Sequence, residues 1–147
     1  DDSHKNSIKS LAICEKYLAS SGSDEIVKIY DIGKKKEVGN IIQINLVNDM
    51  IFQSTKYLLT LSTDGYFRIW STKNWELLNQ FHAHSDCALS LGNIPHLCLT
   101  LTIGTDKTIK LWDLYQGKIA SNGTFVDGLI YKIMIEPQKI RISPKSC

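Results

Sequence analysis

The sequence lacks several features that would assign a chain to a broad class at once. None of its apolar runs approaches the roughly 20 residues that a helix needs to cross a bilayer. Its four cysteines, Cys14, Cys87, Cys98 and Cys147, include no C-x-x-C pair and no histidine pattern typical of zinc. We therefore expect free thiols in a reducing compartment. The net charge of +2 is too small to indicate nucleic-acid binding by itself.

Sequence signatures of enzymes are missing as well. The chain has no G-x-S-x-G nucleophile elbow, no phosphate loop of the G-x-x-x-x-G-K type and no G-x-G-x-x-G after a strand. We therefore predict that the chain is not an enzyme and that it needs no cofactor.

What the sequence does contain is an internal repeat. The segments SGSDEIVKIYD (21–31), LSTDGYFRIWS (61–71) and TIGTDKTIKLWD (102–113) align without internal gaps. They share an aspartate and, six residues later, an aromatic ring, at Asp24 and Tyr30, Asp64 and Trp70, and Asp106 and Trp112. The aspartates are 40 and 42 residues apart. A period of about 40 to 45 residues that ends in Trp-Asp resembles the WD-repeat family, in which each repeat forms one four-stranded propeller blade.

This resemblance implies an all-β fold, a WD40 β-propeller, over a single domain at 1–147. We predict blade one at about 4–43, blade two at about 44–84, blade three at about 85–124 and part of a fourth blade at about 125–147. In each third strand, large apolar residues occur on both faces, so each sheet needs a neighbour on both sides. Three blades and part of a fourth cannot close a ring of about 4 to 8 blades. We therefore expect the chain to be part of a longer one.

The polar positions of the repeat have a structural interpretation. In the WD-repeat family a His, a Ser or Thr, the turn Asp and the third-strand Trp form a buried hydrogen-bonded chain, because buried N–H and O–H groups need partners. Blade three resembles the full set, with His84, Thr102, Asp106 and Trp112. The other blades resemble it in part: His4, Ser20, Asp24 and Tyr30 in blade one, and Thr60, Asp64 and Trp70 in blade two, where Gln43 or a neighbour replaces the histidine.

One short stretch raises a chemical alternative. The HAHSD stretch, 82–86, resembles the first metal-ligand motif of the metallo-β-lactamase superfamily, with His82, His84 and Asp86 as candidate zinc ligands of a hydrolase. That superfamily has a further His where Cys87 stands here, and His84 already has a place in the repeat. We therefore predict no metal site and keep the hydrolase as a remote alternative.

Motifs outside the generic repeat point to a narrower family. These are DE…IYDI…KKKE.G in blade one, K-x-W-E-x-L after blade two and GTDKT…W.L..GK in blade three. They resemble the p21-activated kinase-interacting protein family over most of residues 4–120. The resemblance implies a non-catalytic scaffold that takes part in the assembly of the large ribosomal subunit. It also implies a location in the nucleolus of the nucleus, pre-ribosomal assembly factors as partners, and no membrane association. The alternative that it implies is a signalling adaptor that binds and inhibits a p21-activated kinase.

The run Lys34, Lys35 and Lys36 is the candidate contact with RNA or another partner. It lies in the predicted hairpin between the third and fourth strands of blade one, where charge alone could bind ribosomal RNA phosphates. The alternative is a solvated hairpin tip that discourages edge pairing. We favour the second interpretation, because three lysines make only a small patch.

Overall fold

The computed structural model of the chain describes residues 3–43, 45–114 and 118–124. These residues form twelve strands and one short 3-10 turn at Pro95–Leu97. The strands are β1 Ile8–Ile13, β2 Tyr17–Gly22, β3 Ile26–Asp31, β4 Lys36–Ile42, β5 Val47–Phe52, β6 Tyr57–Ser62, β7 Tyr66–Ser71, β8 Leu77–His82, β9 Ala88–Ile94, β10 Leu99–Gly104, β11 Thr108–Asp113 and β12 Lys118–Thr124. Within this part of the chain no helix is long and apolar enough to cross a membrane.

The strands form three antiparallel four-stranded sheets, ordered β1-β2-β3-β4, β5-β6-β7-β8 and β9-β10-β11-β12. Each sheet is one blade, so the predicted all-β propeller architecture is confirmed. Strand β5 lies beside both β1 and β9. The first strand of every blade therefore lines the inner edge, and the fourth strand lies outermost. The fourth blade predicted at about 125–147 lies outside the described residues.

The repeated aspartates close the turns between the second and third strands. Each carboxylate accepts a hydrogen bond from the backbone N–H two residues later, at 3.4 Å for Asp24, 3.2 Å for Asp64 and 3.1 Å for Asp106. The residue after each aspartate has a positive φ: 61° at Glu25, 79° at Gly65 and 63° at Lys107. The same left-handed turn therefore recurs in every blade.

Two apolar layers hold the blades together. Blades one and two meet through Ala12, Ala19, Val27, Ile29, Ile41, Val47, Met50, Leu58 and Trp70. Blades two and three meet through Leu59, Leu61, Phe67, Ala83, Ala88, Leu91 and Trp112. Each third-strand tryptophan thus faces the preceding blade. The aliphatic residues on the other face of the same sheet meet the following one.

A single carboxylate connects the three blades at the inner edge. Asp49 on β5 accepts hydrogen bonds from the Leu91 N–H (2.9 Å) and the Ser90 hydroxyl (3.1 Å) of blade three. Its other oxygen accepts bonds from the Met50 N–H (2.9 Å) and, at 3.5 Å, from the Ser10 hydroxyl of blade one. The inner strands are therefore fixed to one another by directional contacts as well as by apolar packing.

The tryptophan of the K-x-W-E motif joins blades one and two near their outer edge. Trp75 lies edge-on to the Tyr17 ring, with 5.0 Å between the ring centroids. A Cβ atom built at Gly39 on β4 would lie 2.6 Å from Trp75 Cδ1, so only glycine lets the indole approach this closely. The motif thus contributes an additional contact between two blades.

The face of blade one that points away from blade two is apolar and uncovered by the described residues. Ile8, Leu11 and Ile13 on β1 are 56%, 62% and 68% exposed, and Ile42 on β4 is 79% exposed. Such exposure is expected where a sheet that needs a neighbour on both sides has one on only one side.

Blade three has an irregular connection between its first two strands, and one of its cysteines differs from expectation. Strand β9 continues to Ile94, and β10 begins only at Leu99, because the 3-10 turn and a left-handed Cys98 (φ 52°) lie between them. Cys14 and Cys87 are free thiols, as expected. Cys98 is disulfide-bonded, so the expectation of free thiols is wrong for this residue, and Cys147 lies outside the described residues.

Candidate functional site

The predicted residues of blade three form one continuous hydrogen-bonded chain. The Trp112 indole N–H donates to Thr102 Oγ1 at 2.9 Å, and Thr102 Oγ1 lies 2.9 Å from His84 Nε2. His84 Nδ1 lies 3.0 Å from an Asp106 carboxylate oxygen. A carboxylate only accepts, so Nδ1 carries the imidazole hydrogen and Nε2 accepts the Thr102 hydroxyl. His84 and Thr102 are fully buried, so the chain lies inside the blade.

Burial keeps the imidazole of His84 neutral. It lowers the pKa of His84 below its ordinary value of 6.5, and the attraction of Asp106 only partly offsets that effect. Burial alone would raise the pKa of Asp106, but hydrogen bonds from the Thr108 hydroxyl and from the Thr108 and Ser85 N–H groups outweigh it, and the pKa is lowered. The contact is therefore a hydrogen bond from a neutral histidine to an ionised carboxylate, not an ion pair.

Blade one contains the same arrangement without the tryptophan. His4 Nδ1 lies 3.0 Å from an Asp24 carboxylate oxygen, and His4 Nε2 lies 2.8 Å from Ser20 Oγ. Burial alone would raise the pKa of Asp24, but hydrogen bonds from His4 and from the Lys5 N–H lower it. Tyr30 stands on β3 at the position of the tryptophan. Three of the four predicted residues are thus joined.

Blade two uses different residues for the same purpose. The indole of Trp70 donates to Thr60 Oγ1 at 2.9 Å, and the Gln43 amide Nε2 donates to the same oxygen at 3.2 Å. Asp64 pairs instead with the Arg68 guanidinium, at 2.7 Å. Burial would raise the pKa of Asp64, but hydrogen bonds from Arg68 and from the Tyr66 N–H lower it. Gln43 thus contacts Thr60 where the other blades use a histidine, and Arg68 replaces the histidine as the partner of the aspartate.

One residue that distinguishes the histidine network from the arginine network was not identified from the sequence, and it lies two positions before the turn aspartate. A Cβ atom at Gly22 or Gly104 would lie 2.5 Å from the ring of His4 or His84, so the histidine requires glycine there. The equivalent position in blade two is Ser62, whose hydroxyl oxygen accepts from Arg68 Nη1 at 2.6 Å. The signal was present in the aligned repeats, as SGSD and IGTD against LSTD.

The structure does not bring the HAHSD residues together as a metal site. Both ring nitrogens of His84 are used within blade three. His82 is exposed and packs against the Tyr66 ring at 5.0 Å, and Asp86 is exposed in the loop before β9. Among the described residues no group of three or more His, Cys, Asp or Glu side chains could hold a metal ion.

The predicted lysine run lies on the surface of blade one. Lys34, Lys35 and Lys36 are exposed in and beside the hairpin between β3 and β4. The Lys34 N–H donates to Asp31 Oδ1 at 2.9 Å, and Lys35 adopts a left-handed φ of 53°. The turn thus orders the backbone of this hairpin, and its three lysine residues are exposed.

Comparison with known families agrees with this architecture. The family described as "WD domain, G-beta repeat" matches residues 2–31 and 75–113. These two segments of the chain are therefore WD40 repeats. Among solved structures it is similar to the computationally designed Ika4 protein, with a TM-score of 0.81 and 18% identity, over 91% of this chain and 82% of that one. At this identity the likeness shows the fold alone.

The chain is also homologous to proteins named for kinase binding. It is 38% identical over 118 residues to the p21-activated protein kinase-interacting protein 1-like protein of Gallus gallus, across 80% of this chain and 32% of that protein. It is 30% identical over 123 residues to Shk1 kinase-binding protein 15 of Schizosaccharomyces pombe, across 80% and 36%. It is 29% identical over 99 residues to Protein MAK11 of Saccharomyces cerevisiae, across 56% and 24%. The chain thus spans about a third of the length of the curated relatives it matches most fully.

Proposed function

We propose that this chain is part of a non-catalytic WD40 scaffold that acts in the assembly of the large ribosomal subunit. The observation that carries the proposal is its homology to the kinase-interacting proteins over 80% of the chain and to Protein MAK11 over 56% of it. In the sequence, this resemblance implied an assembly factor of the nucleolus. The partners that we propose are pre-ribosomal assembly factors and, through charge, ribosomal RNA.

The placement of the polar residues supports a scaffold over a catalyst. The side chains of a type that could act in catalysis, His84, Asp106 and Thr102, are hydrogen-bonded to one another inside the blade and stabilise it. The exposed Lys34, Lys35 and Lys36 lie instead in and beside a hairpin, which is a usual position for partner-binding residues on a rigid framework. The free lysines of the β3–β4 hairpin are the candidate contact with RNA.

Sedimentation of the full-length protein tests this role. We expect the tagged protein to co-sediment with large-subunit precursors and to localise to the nucleolus. Replacing Lys34, Lys35 and Lys36 together by Glu should weaken this association if the hairpin contacts RNA, because the three positive charges that bind phosphates are reversed. Replacement of the same three by Arg keeps the charge and is the matched control. Absence of the unaltered protein from precursor fractions would refute the assembly role.

A second candidate function is kinase regulation. Its support is that two relatives are named for kinase binding. The test is a pull-down of purified full-length protein with the regulatory segment of a p21-activated kinase, followed by a kinase assay. Binding together with reduced kinase activity would support the adaptor. If the protein neither binds nor inhibits, this function is eliminated and the assembly role is unaffected.

A further inference from the structure

A groove lies between blades two and three, away from the hydrogen-bonded networks. It encloses about 590 Å³, within the range of about 300 to 1,000 Å³ that is usual for ligand sites. Leu59 and Ile69 of blade two belong to its apolar wall, and Tyr57 and Leu78 lie at its opening. On the blade three side it is bounded by Leu114 and Cys98, which are joined by a backbone hydrogen bond of 3.1 Å.

Two of the groove's apolar side chains are unusually exposed. Tyr57 is 41% exposed and Leu78 is 54% exposed, whereas Leu58 and Leu59, which follow Tyr57 on the same strand, are buried. Gln53 also lines the groove, and its buried Oε1 has no hydrogen-bond partner among the described residues. A ligand with an apolar group and an N–H donor would satisfy both features.

The charge beside the groove is positive. Lys56 lines the groove and is exposed. The Thr72 N–H donates to the Lys56 carbonyl at 3.0 Å, which places the β7–β8 hairpin, with its exposed Lys73, next to it. The acid of that hairpin, Glu76, accepts a hydrogen bond from Asn74. The groove thus combines an apolar interior with one lysine in its lining and a second lysine on the adjoining hairpin.

We propose that this groove binds an acidic, extended peptide segment of a partner protein. One aliphatic or aromatic side chain of the peptide enters the cavity between Tyr57 and Leu78. A donor of the peptide satisfies Gln53, and flanking carboxylates meet Lys56 and Lys73. An RNA strand fits less well, because it would place several phosphates against a mainly apolar wall with few cations. The proposal does not depend on whether the assembly role or the kinase role is correct.

Fluorescence anisotropy with labelled peptides tests the proposal. The probes are peptides of about 12 residues with Asp and Glu around a central Leu or Phe, the same peptides with Ser at the centre, the same with Lys flanks, and a uridine RNA of about 12 nucleotides. We expect binding of the acidic Leu or Phe peptides only. Leu78→Ser should weaken it about tenfold, since it removes most of one apolar contact. Lys56→Glu should weaken it by a similar factor at low salt.

Two matched variants control for general effects of the substitutions. Ile32→Ser makes the same kind of apolar-to-polar change at an exposed site beside the β3–β4 hairpin, and Lys5→Glu makes the same charge reversal at an exposed site before β1. Both should bind the acidic peptide within about twofold of the unaltered protein. The proposal is overturned if no acidic peptide binds below about 1 mM, if the Ser-centred peptide binds equally well, or if Leu78→Ser has no effect. Binding of the RNA in preference to the peptides would also overturn it.

Discussion

The exchange of Gln43 for histidine in blade two tests how the network is encoded. Gln43→His alone restores the residue of blades one and three, yet we expect it to destabilise the protein. A Cβ atom at Gly104 would lie 2.5 Å from the His84 ring, and Ser62 has a Cβ atom at the equivalent position. Relief of such a clash requires movement of the ring or the strand, which typically costs about 1 to 3 kcal/mol.

The reciprocal change identifies the cause. Ser62→Gly alone removes the hydroxyl that accepts from Arg68 at 2.6 Å, and should cost about 1.5 to 3 kcal/mol, because the bond involves a buried guanidinium. In the double variant the imidazole has room to reach Thr60. We therefore expect the two changes together to be less destabilising than their sum by about 2 kcal/mol.

Urea unfolding of the four proteins measures this coupling. Each free energy of unfolding is obtained from the midpoint and slope of the transition, followed by tryptophan fluorescence. If the two substitutions add to within about 0.5 kcal/mol, the steric account of the glycine position is refuted. If Gln43→His alone stabilises the protein, Ser62 does not occupy the space that the histidine needs.

Two further predictions concern stability. The pKa of His84 is lowered in the folded state, so the unfolded chain binds a proton that the folded chain does not, and stability should fall as the pH drops below about 6.5. A His84→Gln variant should lose this part of the pH dependence in urea titrations and keep the acid loss near pH 4 due to the aspartates; an unchanged profile would contradict the prediction. Trp75→Ala should cost about 2 kcal/mol, since the indole is half-buried against Tyr17 and Gly39. Trp75→Phe, the control, should cost less, and equal losses would argue against the packing role.

Much of the fold could be predicted because the repeat states the same pattern three times. The turn aspartate and the third-strand aromatic residue fixed the register, and alternation fixed which face each residue occupies. The lengths of strands β9 and β10 could not be predicted, because they depend on the left-handed conformation of Cys98, which no local sequence pattern required. The hydrogen-bond partner of the turn aspartate in each blade could not be predicted either. Asp64 pairs with Arg68 instead of a histidine because of Ser62, which is a single position in an otherwise ordinary strand.

The exposed groove could not be predicted from the sequence. Its walls come from strands and hairpins of two blades that are far apart in the chain, and Leu78 has the pattern of an ordinary outer-strand residue. Likewise, Gln53 shows no sequence signal, since only the packing around it leaves its carbonyl oxygen without a donor. Such a site depends on how neighbouring blades meet and not on any one repeat.

The inner-edge carboxylate has a consequence for the order of the blades. Asp49 occupies the register position that Ser10 and Ser90 occupy in the blades on either side. One acid therefore lies between two hydroxyl donors. Duplication of blade two would place two carboxylates side by side near the axis, where they would repel each other, and its deletion would leave two serines facing each other without an acceptor charge. Although the repeats share one fold, they are not interchangeable modules, and a recombination event that shuffles them would be penalised at this one position.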